Sequence, residues 1–433
     1  MNLNLLNKRE IYPFAVTGDE EKSGMWIVYM PLVGYATLVS LPVVEDLCYA
    51  IAGLEYGNKA TVDEILSHLD DERKKVYLTS SNEDGLLNMM ILPNNRCNFH
   101  CNYCYSAYGR SGAEISKDKL FKAIDYFFAP SRAEGQRLTV SVLGGGEPLL
   151  SWNLLKDALL HCYEKEEIRN SKIPVSVVTN GSIMSDDIMS FCKEHNISLS
   201  VSFDILEDIQ NEQRGNYSLV LENINKAAEY GLDIALNTVV TDSNVNRMRE
   251  MILSMKERMP IVRKVSFKLL ISDTYFPDRR NRELYYRRFV DNFFEARKLA
   301  EQNGIYLTCP YWNAVISLAD RYCPGKFVVT AEGNVSICHC VSSSMDKLYD
   351  KFIFGEVGDD GVFIDREKLE SILGYNRNKF ESCGSCPCSW HCAGGCYTDG
   401  CTMTADDKEA YCLSMRLFLE KYLLEKISAH DIG

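Results

Sequence analysis

Positive charge is what this sequence is short of: 47 Lys and Arg stand against 60 Asp and Glu, leaving a formal net charge of −13 and a pI near 5.2. Such a chain has no general attraction for a phosphate backbone, so a nucleic-acid partner is not expected and a peptide or small molecule fits better. A secretory start is missing too. The opening MNLNLLNKREIYPF has no basic start, apolar stretch and small-residue cleavage site in succession, which points to the cytoplasm and to thiols that stay reduced. Low-complexity segments and solenoid-type repeats are absent. One stretch, Met25 to Val44, carries no charge over twenty residues, long enough to cross a bilayer as a helix. Pro31, Gly34 and Pro42 interrupt it, and its Val, Ile, Thr and Tyr favour strands. Two short strands around a turn are therefore expected, and no membrane partner.

Cysteine, in contrast, is plentiful, with 17 in 433 residues. In a reducing compartment that number favours metal ligation over disulfides. At 46% hydrophobic content the chain can bury a large core, and its length suggests two to three domains. The cysteines divide it: one before residue 90, a dense triplet at 97–104, and a cluster from 309 to 412. From Asn88 to about Ala300 short apolar runs alternate with amphipathic stretches six times, from MMIL and KDKLFKAIDYFF to VSFKLL and LYYRRFVDNFFEARKLAEQ. Six strand–helix pairs predict parallel strands with helical crossovers. The expected fold is α/β, a partial (β/α)6 TIM-type barrel over residues 88–303. A small α+β module occupies 1–87, with two or three strands, a helix near VEDLCYAIAGL and a second near TVDEILSHLD that Thr61 can cap. A cysteine-rich domain follows over 304–433.

Cys97, Cys101 and Cys104 stand in CNFHCNYC, on the loop directly after the first barrel strand. Three thiolates can hold three irons of a cubane and leave the fourth open to a small molecule. A structural zinc site would need a fourth protein ligand, for which His100 is conceivable. Here the sequence resembles the radical S-adenosylmethionine (SAM) superfamily, and further segments follow in that family's order. Gly144-Gly145-Gly146-Glu147-Pro148 comes after the second strand, Thr179-Asn180-Gly181 after the third, and Ser202-Phe203-Asp204 ends the fourth. No Gly-Lys-Ser/Thr follows the glycines, so they are not a phosphate loop. The resemblance implies that the catalytic cluster sits on Cys97, Cys101 and Cys104. It implies SAM contacts from Tyr103, Gly145, Gly146, Glu147, Asn180, Ser202 and Arg214, the glycines allowing close backbone approach and arginine suiting a carboxylate. The match departs from the family pattern at Ile205, where glycine is usual, and at Gln210-Asn211, where a His-Asp pair is usual. The implied chemistry is reductive SAM cleavage to a 5′-deoxyadenosyl radical that abstracts hydrogen from substrate, with the protein supplying binding, orientation and exclusion of solvent.

In the C-terminal cluster Cys323 is followed after nine residues by Gly333 and after four more by Cys338. Cys383, Cys386, Cys392 and Cys396 then give C-x2-C-x5-C-x3-C, and Cys412 closes the series. The order is similar to the SPASM extension, which implies two auxiliary [4Fe–4S] clusters and three in all. That likeness would put Cys323, Cys338 and Cys396 on an inner cluster and Cys383, Cys386, Cys392 and Cys412 on an outer one. The inner set is one ligand short, with Cys309, Cys340 or an open place as the alternatives. Cys388 and Cys401 lie off the spacing, and Cys48, Cys162 and Cys192 lie on amphipathic helices, where buried cysteine is ordinary.

Residues 22–80 resemble the recognition element of ribosomal-peptide (RiPP) maturases, a winged-helix-like module of three strands and three helices that grips a leader peptide by strand addition. A structural cap over the barrel would account for the same residues. The expected function is therefore a radical SAM/SPASM peptide maturase, which cross-links, epimerises or otherwise modifies side chains of a ribosomally made precursor peptide. Its expected electron donor is a reducing partner such as flavodoxin or ferredoxin. The alternatives are an anaerobic sulfatase maturase forming formylglycine and a non-enzymatic iron–sulfur electron-transfer partner. In sulfatase maturases an aspartate usually follows the second cysteine of the C-x9-G-x4-C segment, where this chain has His339.

Overall fold

The computed structural model describes residues 2–80, 82–270 and 279–430. The uncharged run resolves into two antiparallel strands, β2 (Met25–Met30) and β3 (Tyr35–Ser40), joined by a four-residue turn; β1 (Tyr12–Ala15) pairs on the other side of β2. Side chains alternate along a strand, and here both faces are covered. Ile27 and Tyr29 point into the main core, while Val28 and Met30 join a separate small core with Val44, Leu47, Val62 and Ile65. Burial on both sides is why the run carries no charge. Helices α1 (Leu3–Asn7), α2 (Leu41–Ile51) and α3 (Lys59–Ser67) complete the module. Pro42 sits in the first turn of α2, where its missing N–H costs nothing. Thr61 does not cap α3: the helix starts two residues earlier, after Asn58 in the left-handed region (φ 41°), so Thr61 lies inside it.

The six expected strand–helix pairs are present. Strands β4 (Asn88–Ile91), β5 (Thr139–Val142), β6 (Val175–Thr179), β7 (Ser198–Ser202), β8 (Ile234–Val240) and β9 (Lys264–Leu269) run parallel in sequence order. Between or after them come α4 (Lys117–Phe127), α5 (Trp152–Arg169), α6 (Asp186–Glu194), α7 (Glu207–Gln213), α8 (Tyr217–Glu229), α9 (Met248–Arg258) and α10 (Arg279–Gln302). Ser116 and Ser185 accept backbone N–H bonds at the starts of α4 and α6, satisfying donors that a helix start leaves free. The alternation in the strands is chemical. Val140, Val142, Val177, Leu199, Val201 and Phe267 are buried in the main core. The residues between them are small and polar, bonding strand to strand: Asn88 to Thr139 and Ser141, Ser176 to Ser141, Asn237 to Ser200.

The sheet takes strands from both sides of residue 303. β10 (Tyr306–Thr308) adds parallel to β9, and β11 (Phe327–Val329) adds parallel to β4 at the opposite end. Strands β12 (Asn334–Ser336), β13 (Ile353–Gly358) and β14 (Gly361–Ile364) continue antiparallel from β11, giving eleven strands in all. Helix α11 (Pro310–Val315) and a long C-terminal helix, Ala405–His430, pack on this frame. The N-terminal module is fastened to it. The Tyr29 hydroxyl meets His391 Nε2 at 2.7 Å, Glu420 accepts from the backbone N–H groups of Thr17 and Gly18, and Trp390 Nε1 donates to Glu10. No helix among the described residues is long and apolar enough to cross a membrane.

Candidate active site and cysteine centres

Cys97, Cys101 and Cys104 lie on the loop after β4 and line an open cleft of about 570 Å³ with Asn95, Phe99, His100 and Arg110. Each sulfur faces one nitrogen donor from a different segment: Asn180 Nδ2 at 3.9 Å from Cys97, Arg214 Nη1 at 3.7 Å from Cys101, and Arg110 Nη2 at 3.3 Å from Cys104. N–H donors aimed at sulfur favour the thiolate over the thiol, and thiolate is the metal-ligating form. Burial pushes the Cys101 thiol up, and the Arg214 guanidinium opposes it. Three thiols with three donors around an open cleft fit a cluster that keeps one position for a small molecule.

Glycine is required beside the triplet by space. A Cβ on Gly146 would stand 1.8 Å from the Arg96 carbonyl oxygen, and one on Gly145 would stand 2.5 Å from Asn95 Oδ1. The following Glu147 turns inward. Its carboxylate accepts from Thr179 Oγ1 (2.7 Å), Asn180 N (2.7 Å) and Leu149 N (3.1 Å), so it locks the glycine turn to the Thr179-Asn180-Gly181 turn. Burial pushes its pKa up, and those donors pull against the rise.

Arg214 is buried, not a surface charge. Its Nε donates to the Tyr103 hydroxyl at 2.5 Å and lies 3.3 Å from Asp204 Oδ2, and Tyr103 in turn donates to Asp204 at 2.6 Å. The two departures from the family pattern have structural answers. Ile205 keeps a left-handed backbone, φ 63°, although branched side chains avoid that region, and its side chain is fully buried. Gln210 ties the strand end to the arginine loop: its Oε1 accepts from Asp204 N and its Nε2 donates to the Gly215 carbonyl, both at 2.8 Å. Ser202 ends β7 as expected. Sequence reasoning gave no role to Asp204, Arg110 or Asn95. Asp204 stood inside a quoted motif, whereas Arg110 carries no spacing signal at all.

In the C-terminal array Cys383, Cys386, Cys392 and Cys412 line one small cavity of about 50 Å³ with Met403, Tyr411 and Met415. Burial pushes the Cys383, Cys392 and Cys412 thiols up. Cys388 and Cys396 line the same hollow, and thiols gathered so densely suit an ion or cluster that neutralises them together. Cys388 is buried beside Cys386, and Cys401 lies near Lys351. Cys48, Cys162 and Cys192 are buried on α2, α5 and α6, as expected of apolar thiols. Cys338 and Cys340 flank His339, and ligand atoms of all three lie within 4.8 Å of one another. The hydrogen bond from Cys340 holds the Cys338 thiol down at about 6, with the Thr398 hydroxyl, 3.2 Å away, also lowering it. His339 Nδ1 is buried with no hydrogen-bond partner among the described residues, and its ring meets Tyr105, the residue after Cys104, edge-on at 5.9 Å.

Comparison with known proteins agrees with this geometry. The radical SAM cyclopropyl synthase TigE of Paramaledivibacter caminithermalis is 22% identical over 359 residues, covering 77% of this chain and 72% of TigE. The cysteine-type anaerobic sulfatase-maturating enzyme of Clostridium novyi is 22% identical over 69% of this chain and 87% of its own length. Among solved structures, anSMEcpe with bound AdoMet superposes with a TM-score of 0.62 at 20% identity, covering 79% of this chain and 99% of that one. SuiB of Streptococcus suis bound to precursor peptide SuiA gives 0.52 at 14% identity, covering 92% and 97%. The family implies a [4Fe–4S] cluster and SAM. Residues 91–255 match the radical SAM superfamily model, so this part of the chain is a radical SAM domain.

Proposed function

We propose that the chain modifies side chains of a ribosomally made precursor peptide, using a cluster on Cys97, Cys101 and Cys104 and two auxiliary clusters in the C-terminal array. The carrying observation is the N-terminal module. It has three strands and three helices, and β3 is an outer strand whose far edge pairs with no other strand among the described residues. An open edge of this kind can take an extended peptide by main-chain hydrogen bonds. The SuiB structure, whose partner is a precursor peptide, matches 92% of this chain, against 79% for anSMEcpe, which supports the same reading.

When bound, the cluster and SAM supply a hydrogen-abstracting radical. This chain's residues bind and orient. Gly145 and Gly146 allow close backbone approach at the cleft, Glu147 fixes the adjoining turns, and Arg214 offers the cationic group for a carboxylate. The small polar side chains between the strands, such as Ser141, Ser176 and Ser200, are only partly buried, so that side of the sheet is not filled like a core.

The sulfatase-maturase reading has the sequence similarity to the Clostridium novyi enzyme in its favour. One experiment separates the two. Reduced, reconstituted enzyme is incubated with SAM and, separately, with candidate precursor peptides drawn from short reading frames of its genome and with a sulfatase-derived cysteine peptide. Mass spectrometry should find modification of the first alone: loss of two hydrogens for a cross-link, or solvent deuterium uptake for epimerisation. Formylglycine in the second, with the first unchanged, would overturn the proposal.

A further inference from the structure

We infer that Cys340 is the fourth thiolate of the inner auxiliary site, closing it on Cys323, Cys338, Cys340 and Cys396 and leaving no iron open to substrate. This rests on the reading that the C-terminal array holds iron–sulfur clusters. The sequence left three choices, and the packing separates them. Cys309 is fully buried at the start of α11, where its Sγ accepts from Trp312 N at 3.3 Å, and its charged neighbours are Lys268 and Arg297, with none of Cys323, Cys338 and Cys396 among them. Cys340, in contrast, has its sulfur within 4.8 Å of a ligand atom on Cys338. The Lys326 ammonium is near Cys323, Cys338, Cys340 and Cys396 together, so four thiols from three chain segments converge on one cation. Cys396 is itself near Cys338 and Cys323, and Thr398, two residues on, donates to Cys338 at 3.2 Å.

His339 is the competing donor in the same triplet of residues, because its ring nitrogens lie within the same 4.8 Å. Its ring, however, packs edge-on against Tyr105, the residue after Cys104, and Lys326 and Lys268 lie near it. Cys340 lies near both Cys338 and Cys396. A cubane with four thiolates has no exchangeable position, so such a centre passes electrons and does not hold substrate.

The test uses the full chain, anaerobically reconstituted, with Cys97→Ala/Cys101→Ala/Cys104→Ala as the background that removes the catalytic cluster. That background should keep about eight irons. If it keeps none, or holds zinc instead, the iron–sulfur reading itself fails and the ligand assignment falls with it. Given iron, Cys340→Ala, Cys309→Ala and His339→Ala are compared by iron and sulfide content and by EPR of the dithionite-reduced protein. The expected result is an unchanged spectrum for Cys309→Ala and His339→Ala. Cys340→Ala should show an altered signal that shifts again on adding cyanide, the mark of an opened iron. Should Cys340→Ala not fold, Cys340→Ser keeps an oxygen ligand and should give a shifted signal at full iron content. An unaltered spectrum in the Cys340 variants, or the change appearing in Cys309→Ala or His339→Ala instead, would overturn the assignment.

Discussion

The triplet and the outer C-terminal site solve opposite problems with the same side chain. Around Cys97, Cys101 and Cys104 the chain leaves a cleft of about 570 Å³ and gives each sulfur one nitrogen donor. Around Cys383, Cys386, Cys392 and Cys412 it leaves about 50 Å³, lined also by Cys388, Cys396, Asp399, Lys408 and apolar residues. The first arrangement keeps room for a small molecule. The second leaves far less. Both sites set positive groups against their thiols: Arg214 and Arg110 at the triplet, Arg416 and Lys408 at the outer set.

Removing each set should therefore fail differently, and this is the largest expected effect. Cys97→Ala/Cys101→Ala/Cys104→Ala should abolish 5′-deoxyadenosine formation by dithionite-reduced enzyme and lose about a third of roughly twelve irons, while the fold survives. Replacing the outer four cysteines should instead lower thermal stability, since the metal at a closed site contributes to folding. Differential scanning calorimetry and iron analysis read both, and SAM cleavage persisting in the triplet variant would erase the distinction.

The second effect is at the donors. Asp204 and Arg214 are buried together, so Asp204→Asn strands a buried guanidinium and should cost about 3 kcal/mol in chemical denaturation. SAM cleavage should fall with it, because the Arg214 guanidinium then loses the carboxylate that helps hold it beside Cys101. A smaller change tests the room itself. Gly145→Ala places a methyl 2.5 Å from Asn95 Oδ1 and 3.0 Å from Ser342 Oγ, both side-chain neighbours that can give. We expect folded protein with SAM binding weakened about tenfold by equilibrium dialysis, or roughly 1.4 kcal/mol. Gly146→Ala, which would meet the Arg96 backbone, should be worse.

The smallest effect lies where the N-terminal module docks on the C-terminal array. Tyr29→Phe removes the hydroxyl that meets His391 and leaves a buried ring nitrogen without its partner. A loss of about 1 kcal/mol is expected by denaturant titration, with SAM cleavage unchanged. A drop in peptide processing alone would show that docking of the module matters to substrate delivery.

Much of this was legible before any coordinates. The six strand–helix pairs follow from apolar periodicity, and the paired strands over Met25–Val44 from their prolines and branched residues. That β10 and β11 join the opposite ends of the sheet was not legible, because strand order has no local signature. Thr61 misled for a local reason: a threonine before an apolar run is a fair cap signal, but the helix begins two residues earlier. Ile205 is the opposite case. The residue departs from the glycine pattern while the backbone keeps a left-handed conformation, held by the burial of its own side chain.

Short spacings are settled by the sequence itself. Cysteines three and four apart on one loop must lie near each other whatever surrounds them, so the triplet, like the C-x2-C and C-x5-C runs, declares its chemistry locally. What pairs with those cysteines is decided by tertiary structure. Arg214 reaches Tyr103 across 111 positions, and Cys338 bonds Thr398 across 60. The choice of Cys340 over Cys309 depends on which thiol the fold brings beside Cys338, Cys396 and Lys326. Such contacts arise only once the strands are ordered and the sheet has brought their ends together, because chain separation says nothing of distance until the fold has closed the loop between.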